Sequence, residues 1–386
     1  MEPQTTRKFD AKTLRRLFGT VGAMSKASRD PHYVAPVPVD IGIELTNRCN
    51  QRCRHCFLWN EQGLYQVGEQ KNQRHEVVWE VLDKLLRDTE ATRSKLFFWG
   101  TEPLLYSHFD KLAERLEQDP RWTVICTNGT LIERRLPALL RMSENLAVVV
   151  SLDGPREEHD YIRGQGAFDL AMQGVRLLQE EARAGRYKGL VSLHCVMHEA
   201  LVPKLYDFAL WAEQQQVDSL YLGFPWYIPE TVAQRMDAVV HDKLPFLEVD
   251  LDRAPLSWHT YTHHLPPSCL PELREQIKLI CGRTWSMRFR FQPALDDHEL
   301  EDFVLGGELP AQNRTRCHAV QNRMDIRATG KVTSCQCYPE LVVGDLNTQG
   351  VDEVWHGERM EGVRGVLREG LMPVCSKCIL LYLNGS

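Results

Sequence analysis

The sequence predicts an α/β fold: a curved, open (β/α)6 partial barrel followed by a small cysteine-containing domain. Most candidate strands are continuous apolar runs, which is typical of parallel strands buried on both faces. Helical patterns separate these runs, and strands that alternate with helices form parallel sheets with right-handed crossovers. The predicted strands are 40–46, 95–99, 122–127, 146–152, 190–197 and 218–224, and the helices between them lie near 75–90, 108–119, 131–142, 168–184 and 203–215.

The chain of 386 residues is long enough for two domains, or for one large domain with an appendage. We expect four regions. They are a leader (1–38) with a short helix near 11–18, the partial barrel (39–224), an irregular bridging segment (225–312) with helices near 230–242 and 271–281, and a C-terminal domain (313–386).

Composition excludes several classes of protein. The formal net charge of -6 gives no overall basic field for nucleic acid. No apolar run approaches the roughly 18 residues of a membrane span, and the N-terminal part has no apolar core of signal-peptide length. Without an export signal, the 12 cysteines are more typical of a metal protein than of a disulfide protein. We therefore predict a cytoplasmic protein with no membrane or nucleic-acid partner.

The first cysteine group lies in a polar turn after the first predicted strand. Cys49, Cys53 and Cys56 have the spacing C-x3-C-x2-C. Three thiolates in one tight loop can bind three irons of a [4Fe–4S] cluster and leave the fourth iron open to a small molecule. A zinc site or a redox pair is the alternative for C-x2-C, but His55 lies too close to both neighbouring cysteines to chelate easily.

The ends of the other predicted strands are polar or glycine-rich. The carboxyl ends of parallel strands meet at one edge of the sheet, which is where the chemistry of such folds is found. We therefore expect these strand ends to form one site with the cysteine loop. They are Gly100-Thr101-Glu102-Pro103, Thr127-Asn128-Gly129, Ser151-Leu152-Asp153-Gly154, His194 to His198, and Leu222-Gly223.

The order of these motifs resembles the radical S-adenosylmethionine (SAM) superfamily, in the subgroup with SPASM or Twitch extensions. Gly100-Thr101-Glu102-Pro103 is similar to its Gly-Gly-Glu-Pro motif, with Thr at the second position. The resemblance implies a radical SAM partial barrel and a loop [4Fe–4S] cluster. Such a cluster cleaves SAM to methionine and a 5′-deoxyadenosyl radical, which abstracts a hydrogen atom from the substrate. It also implies an electron donor such as a flavodoxin or ferredoxin.

The same resemblance assigns SAM contacts to individual residues. Glu102 and the backbone around it would bind the SAM ammonium group, while Ser151 and Arg163 would hold the ribose and the carboxylate. A salt bridge within its loop is the alternative for Arg163. His55 stands where the family usually has an aromatic residue near the adenine. The full set of predicted contacts is His55, Phe57, Gly100, Thr101, Glu102, Pro103, Asn128, Ser151, Arg163 and Leu222.

The C-terminal region contains a second cysteine group around a predicted β-hairpin with Gly330 at its turn. Its order resembles the Twitch domain, a shortened SPASM domain, which implies one auxiliary [4Fe–4S] cluster. Cys337 is a fifth cysteine that this pattern does not require, and the eight residues after Cys378 contain no ligands for a second auxiliary cluster. A structural zinc is the alternative occupant. The ligands implied by the resemblance are Cys317, Cys335, Cys375 and Cys378.

Other side chains are candidates with ordinary structural alternatives. The aromatic and histidine residues of the bridging segment would line a substrate pocket or simply pack. His259, His263 and His264 are weaker candidates for metal ligands, because no cysteine or acidic partner lies at metal-ligand spacing. Candidate bases are Glu44, Asp153 and His194, and candidate hydrogen-atom donors are Cys126 and Cys195.

We expect a peptide substrate, matured by a crosslink, an epimerisation or an oxidation, as the resemblance implies. The short leader argues against this reading, because it has no room for a winged-helix peptide-recognition domain. The alternative is a dehydrogenase or related enzyme acting on a small metabolite such as an aminocyclitol or a sugar, which a single auxiliary cluster also fits. A non-catalytic metal protein is a third reading, and the complete set of SAM-binding motifs argues against it.

Overall fold

The computed structural model describes residues 2–7, 11–67, 73–252 and 255–386, with no side chains described for 11–18. The strands are β1 (Gln4–Thr5), β2 (Asp40–Ile43), β3 (Lys95–Phe98), β4 (Thr123–Thr127), β5 (Leu146–Ser151), β6 (Leu190–Val196), β7 (Ser219–Gly223), β8 (Thr284–Trp285), β9 (Arg288–Gln292), β10 (Arg323–Ile326), β11 (Lys331–Thr333) and β12 (Val342–Asp345). The α-helices are α1 (Ala11–Arg29), α2 (Leu64–Val67), α3 (Trp79–Asp88), α4 (Phe109–Gln118), α5 (Ile132–Met142), α6 (Arg156–Arg163), α7 (Ala167–Arg183), α8 (Leu205–Gln214), α9 (Glu230–Lys243), α10 (Leu270–Cys281), α11 (Asp297–Val304), α12 (Ala319–Asn322), α13 (Val351–Trp355), α14 (Glu358–Glu369) and α15 (Ile379–Asn384).

Ten of the strands form one sheet in the order β12-β11-β10-β2-β3-β4-β5-β6-β7-β9, while β1 pairs with β8. The six predicted barrel strands are confirmed as β2 to β7, and each is parallel to the next. Two further parallel strands extend this set, because β10 pairs with β2 and β9 pairs with β7. The parallel part of the sheet is therefore wider than the sequence predicted.

The core lies between the sheet and the helices that connect its strands. Helix α7 shows why the helices form, because its apolar residues recur at spacings of three and four and so share one face. Phe168, Ala171, Val175 and Leu178 on that face are all buried. Full burial of a large apolar side chain contributes about 1.5–3 kcal/mol. This packing fixes the strand positions and thereby the loops at their carboxyl ends.

The bridging segment is part of the sheet and not only an irregular connection. Its predicted helices are confirmed as α9 and α10. Strand β9 was not predicted, although its residues alternate as expected for a strand with one buried face. Phe289 and Phe291 are buried in the core, whereas Arg288 and Arg290 are more exposed on the other face. The two phenylalanines therefore hold β9 against the sheet.

The C-terminal region joins the barrel sheet directly. The predicted hairpin is confirmed by the antiparallel pairing of β10 with β11, and Gly330 at its turn has a φ of +81°, which favours glycine. Arg327 of the hairpin lies 3.1 Å from the carboxylate of Glu44, which follows β2, and both are buried. The hydroxyl of Tyr65 donates to Glu44 at 2.7 Å and accepts from Arg327 at 3.0 Å. With Arg327 as its partner, Glu44 is a structural anion rather than a free base.

The leader also packs against the rest of the chain. Helix α1 is longer than the predicted helix near 11–18. After it, the Tyr33 and Ala35 carbonyls accept hydrogen bonds from Gln321 at 2.8 Å and from Trp355 at 2.6 Å. None of the helices in the described part of the chain is long and apolar enough to cross a membrane.

Candidate functional site

The cysteine loop follows β2 and closes on itself. The backbone N–H of Cys56 donates to the Cys53 carbonyl at 3.0 Å, and the Trp59 N–H donates to the Cys56 sulfur at 3.3 Å. Burial raises the pKa of Cys53 to about 12. Burial also raises the pKa of Cys49, and the charges of Glu102, Cys56 and Cys53 raise it further. Since metal-binding thiols must be deprotonated, the cations that they bind have to offset this cost.

Arg163 and Asp153 lie beside the loop as a buried ion pair. Arg163 Nε donates to Asp153 Oδ2 at 2.6 Å, and Arg163 Nη1 lies 3.7 Å from the Cys53 sulfur. His55 Nε2 donates to the same carboxylate oxygen at 2.9 Å. Burial alone would raise the pKa of Asp153, but the charges of Arg163 and His55 hold it well below its usual value. Asp153 is therefore an anion that positions Arg163 and His55, and a weak base.

The ion pair with Asp153 is the salt bridge that the sequence analysis gave as the alternative role of Arg163. Contacts of Arg163 with the SAM carboxylate, and of His55 with the adenine, stay predictions. The structure does place both side chains next to the cysteine loop, where such contacts would have to form.

Glu102 connects the ends of β3 and β4 to the loop. Its carboxylate is fully buried and accepts hydrogen bonds from the Leu104 N–H at 3.1 Å, the Thr127 hydroxyl at 2.7 Å and the Asn128 N–H at 2.8 Å. Burial raises the pKa of Glu102 to about 6. The Asn128 side chain donates to that of Asn50 in the cysteine loop at 2.8 Å. Three of the predicted motifs therefore meet at one place.

The residues next to Glu102 shape the turn after β3. Gly100 has a φ of +99°, a conformation that glycine adopts without strain. The Thr101 hydroxyl donates to the Thr46 carbonyl, which ties this turn to the segment before the loop. Pro103 begins a 3-10 turn, Pro103–Leu105. The threonine that replaces the family's usual glycine thus has a structural partner of its own.

Ser151 and Leu222 differ in how well they suit their predicted roles. Ser151 ends β5, is partly exposed and pairs with His194 on β6. Burial lowers the pKa of His194 to about 4, so this imidazole is neutral near pH 7. The Leu222 side chain is instead fully buried in the hydrophobic core, so only the backbone of this residue is left to contact a ligand. Of the candidate hydrogen-atom donors, Cys195 is equally buried and Cys126 is partly exposed.

Aromatic residues of the bridging segment pack on the cysteine loop. Phe57, next to Cys56, stacks on Tyr261 with ring centroids 4.3 Å apart, and Trp226 lies 6.0 Å from Phe57. His263 lies 5.5 Å from His55, and its buried Nε2 has no hydrogen-bond partner among the residues that the structure describes. The bridging segment therefore covers the loop, although a substrate pocket there stays a prediction.

The three histidines considered as metal ligands have separate surroundings. His259 bonds to Glu230 at 3.0 Å and to Asp237 at 3.1 Å. His264 packs on Tyr227 with ring centroids 4.7 Å apart, whereas His263 faces His55. Among the described residues, these histidines form no group with converging ligand atoms.

Three of the five C-terminal cysteines converge. The thiols of Cys335, Cys337 and Cys378 lie within 4.8 Å of one another, the only such ligand group in the part of the chain that the structure describes. The sulfurs of Cys337 and Cys378 are 3.7 Å apart. The Cys378 N–H donates to the Cys375 carbonyl at 3.1 Å. Burial, followed by the charges of Cys317 and Cys378, raises the pKa of Cys375. All five are free thiols, a donor set that fits an iron–sulfur cluster.

A groove of about 900 Å³ opens beside the cysteine loop. Arg163 contributes to its wall, together with Arg52 and Arg54. The guanidinium groups of Arg52 and Arg54 each stack 4.1 Å from an aromatic ring, that of Trp59 and that of Tyr161. Arg156, Glu157 and Asp160 also line the groove, so the loop is reachable from solvent on a side with more cationic than anionic side chains.

Comparison with known families identifies the two cysteine regions separately. Residues 43–199 match the radical SAM superfamily, and residues 317–379 match the SPASM family, described as an iron–sulfur cluster-binding domain. The chain belongs to the radical SAM superfamily. Its SPASM region places it in the SPASM/Twitch subgroup, which implies a SAM-binding [4Fe–4S] cluster and an auxiliary cluster. The three loop thiols and the converging C-terminal thiols fit these two groups.

Several curated proteins resemble this radical SAM protein. It is 24% identical over 354 residues to a serine-type anaerobic sulfatase-maturating enzyme of Bacteroides thetaiotaomicron, covering 86% of this chain and 78% of the relative. It is 35% identical over 139 residues to an Fe-coproporphyrin III synthase of Methanosarcina barkeri, covering 36% of this chain but only 33% of that relative. The mycofactocin maturase MftC of Mycolicibacterium smegmatis is 30% identical over 179 residues, 45% of this chain and 42% of the maturase.

Solved structures share the fold. SuiB of Streptococcus suis bound to its precursor peptide SuiA aligns with a TM-score of 0.58 and 14% identity, covering 94% of this chain and 74% of that one. The enzyme anSMEcpe with bound AdoMet aligns with a TM-score of 0.54 and 19% identity, covering 84% of this chain and 82% of the other. The partial barrel with a C-terminal SPASM-type region is thus the fold of this chain.

Proposed function

We propose that this radical SAM enzyme modifies a peptide or protein substrate by abstracting a hydrogen atom from an unactivated carbon. The observation that carries the proposal is the combination of a three-thiol loop with a second thiol group in the SPASM region. Several relatives are named for peptide or protein maturation, such as the sulfatase-maturating enzyme, and SuiB was solved with a precursor peptide. We propose further that the product is a crosslink, an epimer or an oxidised side chain.

The chain's own residues would bind and orient the reactants. When bound, the loop cluster supplies the electron that cleaves SAM and thereby provides the hydrogen-abstracting radical. Glu102 and the turn at Gly100 would bind the ammonium group, because a buried carboxylate favours a nearby cation. Arg163, held by Asp153, would face the SAM carboxylate, and Ser151 would face the ribose. The Phe57–Tyr261 stack would exclude water and hold the target carbon, since position decides which bond reacts.

The first test is SAM cleavage. The reconstituted enzyme, reduced with dithionite, is expected to convert SAM to 5′-deoxyadenosine and methionine, measured by liquid chromatography. Cys53→Ala should give no product above the enzyme-free background. Cys281→Ala is the matched control, because this partly buried thiol lies at the end of α10, outside both cysteine groups. Equal product from the Cys53 variant and the wild type would contradict the radical SAM activity.

The second test addresses the substrate class. We expect a short peptide encoded beside the gene to stimulate 5′-deoxyadenosine formation. A crosslink or an oxidation should remove two hydrogen atoms from its mass, whereas an epimer keeps the mass and is detected by chiral amino-acid analysis. If that peptide is deuterated at the target carbon, deuterium should appear in 5′-deoxyadenosine. Intact SAM cleavage without response to any neighbouring peptide would contradict the peptide substrate while leaving the radical SAM activity in place.

One finding favours the alternative substrate class. The 35% identical relative is named an Fe-coproporphyrin III synthase, a small-molecule activity, although the match covers only 33% of it. A dehydrogenase of a small metabolite, such as an aminocyclitol or a sugar, predicts stimulation of SAM cleavage by that metabolite. Assays of both substrate classes with the same enzyme preparation therefore decide between them.

We also propose that a flavodoxin or a ferredoxin reduces the loop cluster in the cytoplasm. The groove beside the loop, with Arg52 and Arg54 on its wall, suits an acidic electron carrier. Reduced flavodoxin should replace dithionite in the SAM-cleavage assay, with a rate that falls as salt concentration rises. A rate independent of salt would contradict electrostatic docking.

A further inference from the structure

Cys337 is the one cysteine of the C-terminal group that the four-thiolate pattern leaves without a role. It is 3% exposed, so it is not a surface thiol. Its sulfur lies 3.7 Å from that of Cys378. A [4Fe–4S] cluster takes one thiolate for each of its four irons. The five free cysteines of this region therefore exceed the ligand number by one.

The surplus thiol lies in one group with two of the expected ligands, Cys335 and Cys378. Cys335 and Cys337 are two residues apart in the bend after β11, and both thiols lie within the 4.8 Å group that contains Cys378. Cys317 and Cys375 are not in that group. Of the two expected ligands in the group, only Cys335 lies on the same bend as Cys337, so these two thiols approach the site from one short stretch of main chain.

The backbone of this bend is fixed by hydrogen bonds on both sides. The Thr333 hydroxyl donates to the Cys335 carbonyl at 2.9 Å, and the Tyr261 hydroxyl donates to the Cys337 carbonyl at 3.0 Å. Between them, Arg327 Nη1 donates to the Gln336 carbonyl at 3.3 Å. Because the main chain is held, an exchange of thiols requires only side-chain rotation between staggered rotamers.

We propose that Cys335 and Cys337 are alternative ligands for the same iron of the auxiliary cluster. The thiol that is not bound keeps its proton. When the other sulfur leaves the iron, the incoming thiol releases one proton as its sulfur binds, the departing thiolate takes up one proton, and no electron is transferred. This inference rests on the auxiliary cluster and is independent of the substrate, so a failed search for a peptide would not affect it.

The test uses the full chain with Cys49, Cys53 and Cys56 changed to alanine, so that all remaining iron belongs to the auxiliary site. In this background we compare Cys335→Ala, Cys337→Ala and the double variant after anaerobic reconstitution, with iron and sulfide content as the measurement. Each single variant should retain about four irons per chain, whereas the double variant should lose most of them. Cys375→Ala, which has no substitute thiol in this proposal, should lose its iron as a single variant.

Electron paramagnetic resonance of the reduced cluster provides a second readout. The spectrum of at least one single variant should differ from that of the background, because the thiolate bound to one iron has changed position. Loss of the cluster in either single variant, or its retention in the double variant, would overturn the proposal. Zinc in place of iron in the background protein would also overturn it. Far-ultraviolet circular dichroism of each variant distinguishes ligand loss from failure to fold.

Discussion

The two cysteine sites differ in what surrounds the sulfurs. Around the loop the neighbours are polar: the buried pair of Arg163 and Asp153, and the carboxylate of Glu102 with its three donors. Around the C-terminal group aromatic rings lie beside a second buried ion pair: Tyr338 follows Cys337 and its ring lies 6.0 Å from that of Tyr261, and Arg323 pairs with Asp325 at 2.7 Å. The ion pair at the loop contacts a cysteine, since Arg163 lies 3.7 Å from the Cys53 sulfur, whereas Arg323 contacts the Gln336 side chain between two cysteines at 2.8 Å.

The two cysteine sites also differ in how close their thiols lie to one another. Three C-terminal thiols lie within 4.8 Å of one another, whereas the loop cysteines form no such group in the described part of the chain. The groove of about 900 Å³ opens beside the loop. Cys49 and Cys56 of the loop are partly exposed, whereas Cys337, Cys375 and Cys378 are buried, so the loop is the more accessible of the two cysteine sites.

The largest expected effect separates the two sites directly. Cys53→Ala should abolish 5′-deoxyadenosine formation, because the SAM-cleaving cluster loses a ligand. Cys378→Ala should lower dithionite-driven SAM cleavage only about tenfold, because it leaves the ligands of the loop cluster in place. Such a loss is the low end of the effect of changes outside a metal's ligand shell. Both are measured as 5′-deoxyadenosine formed per chain, alongside iron content. Equal losses in the two variants would show that the sites are not functionally distinct.

The second prediction concerns the ion pair that joins the two regions. Arg327→Met leaves the buried carboxylate of Glu44 without its cation, which should lower the free energy of unfolding by about 3–5 kcal/mol. The measurement is the thermal unfolding midpoint of the reconstituted protein. Arg359→Met is the matched control, because Arg359 pairs with Glu248 on the surface, where such pairs contribute about 0–1 kcal/mol. A Tm shift for Arg327→Met no larger than for the control would contradict a structural role for the pair.

The third prediction concerns Tyr261, which touches both regions. Tyr261→Phe removes the hydrogen bond to the Cys337 carbonyl but keeps the stack on Phe57, at a cost of about 1 kcal/mol. Tyr261→Ala also removes the buried ring and should cost about 3–5 kcal/mol. Tyr206→Phe is the control, because the structure gives the Tyr206 hydroxyl no hydrogen bond among the residues it describes. Thermal unfolding checks the order, and an alanine variant as stable as the phenylalanine variant would contradict it.

The sequence predicted the barrel well because its signals are local. Six apolar runs with helices between them determine parallel strands, and all six are present as β2 to β7. Strand β9 was missed although the alternation in Arg288–Gln292 is visible, because it lies within an irregular segment. The pairing of β10 with β2 has no local signal, since it joins residues far apart in the chain.

The site was predicted only in part, because its motifs are local in the sequence but the contacts between them are not. The cysteine spacing and the strand-end motifs identified which residues meet, but not which of them pair with each other. That Arg163 is held by Asp153, and Glu44 by Arg327, depends on the packing of distant segments. The position of Cys337 could have been suspected from the C-x-C spacing alone. Its closeness to Cys378 required the folded chain.

The smallest expected effect concerns His259, two residues before Tyr261. Burial lowers the pKa of His259, but hydrogen bonds to Glu230 and Asp237 outweigh it and raise the pKa above its usual 6.5. Because the folded pKa is higher than the unfolded one, the stabilisation is fully present below about pH 6.5 and is lost as pH rises through the folded pKa. For a partly exposed pair we expect about 0.5 kcal/mol.

Thermal unfolding from about pH 6 to about pH 8 measures this contribution, in the range where histidine side chains titrate. His259→Gln should lower the Tm at the acidic end and leave it unchanged at the alkaline end. His241→Gln is the control, because His241 is mostly exposed and, in the described part of the chain, bonds only to its neighbour Asp242. The same pH dependence in the wild type and in His259→Gln would show that the acidic groups around His259 do not anchor the segment that carries Tyr261 between the two cysteine sites.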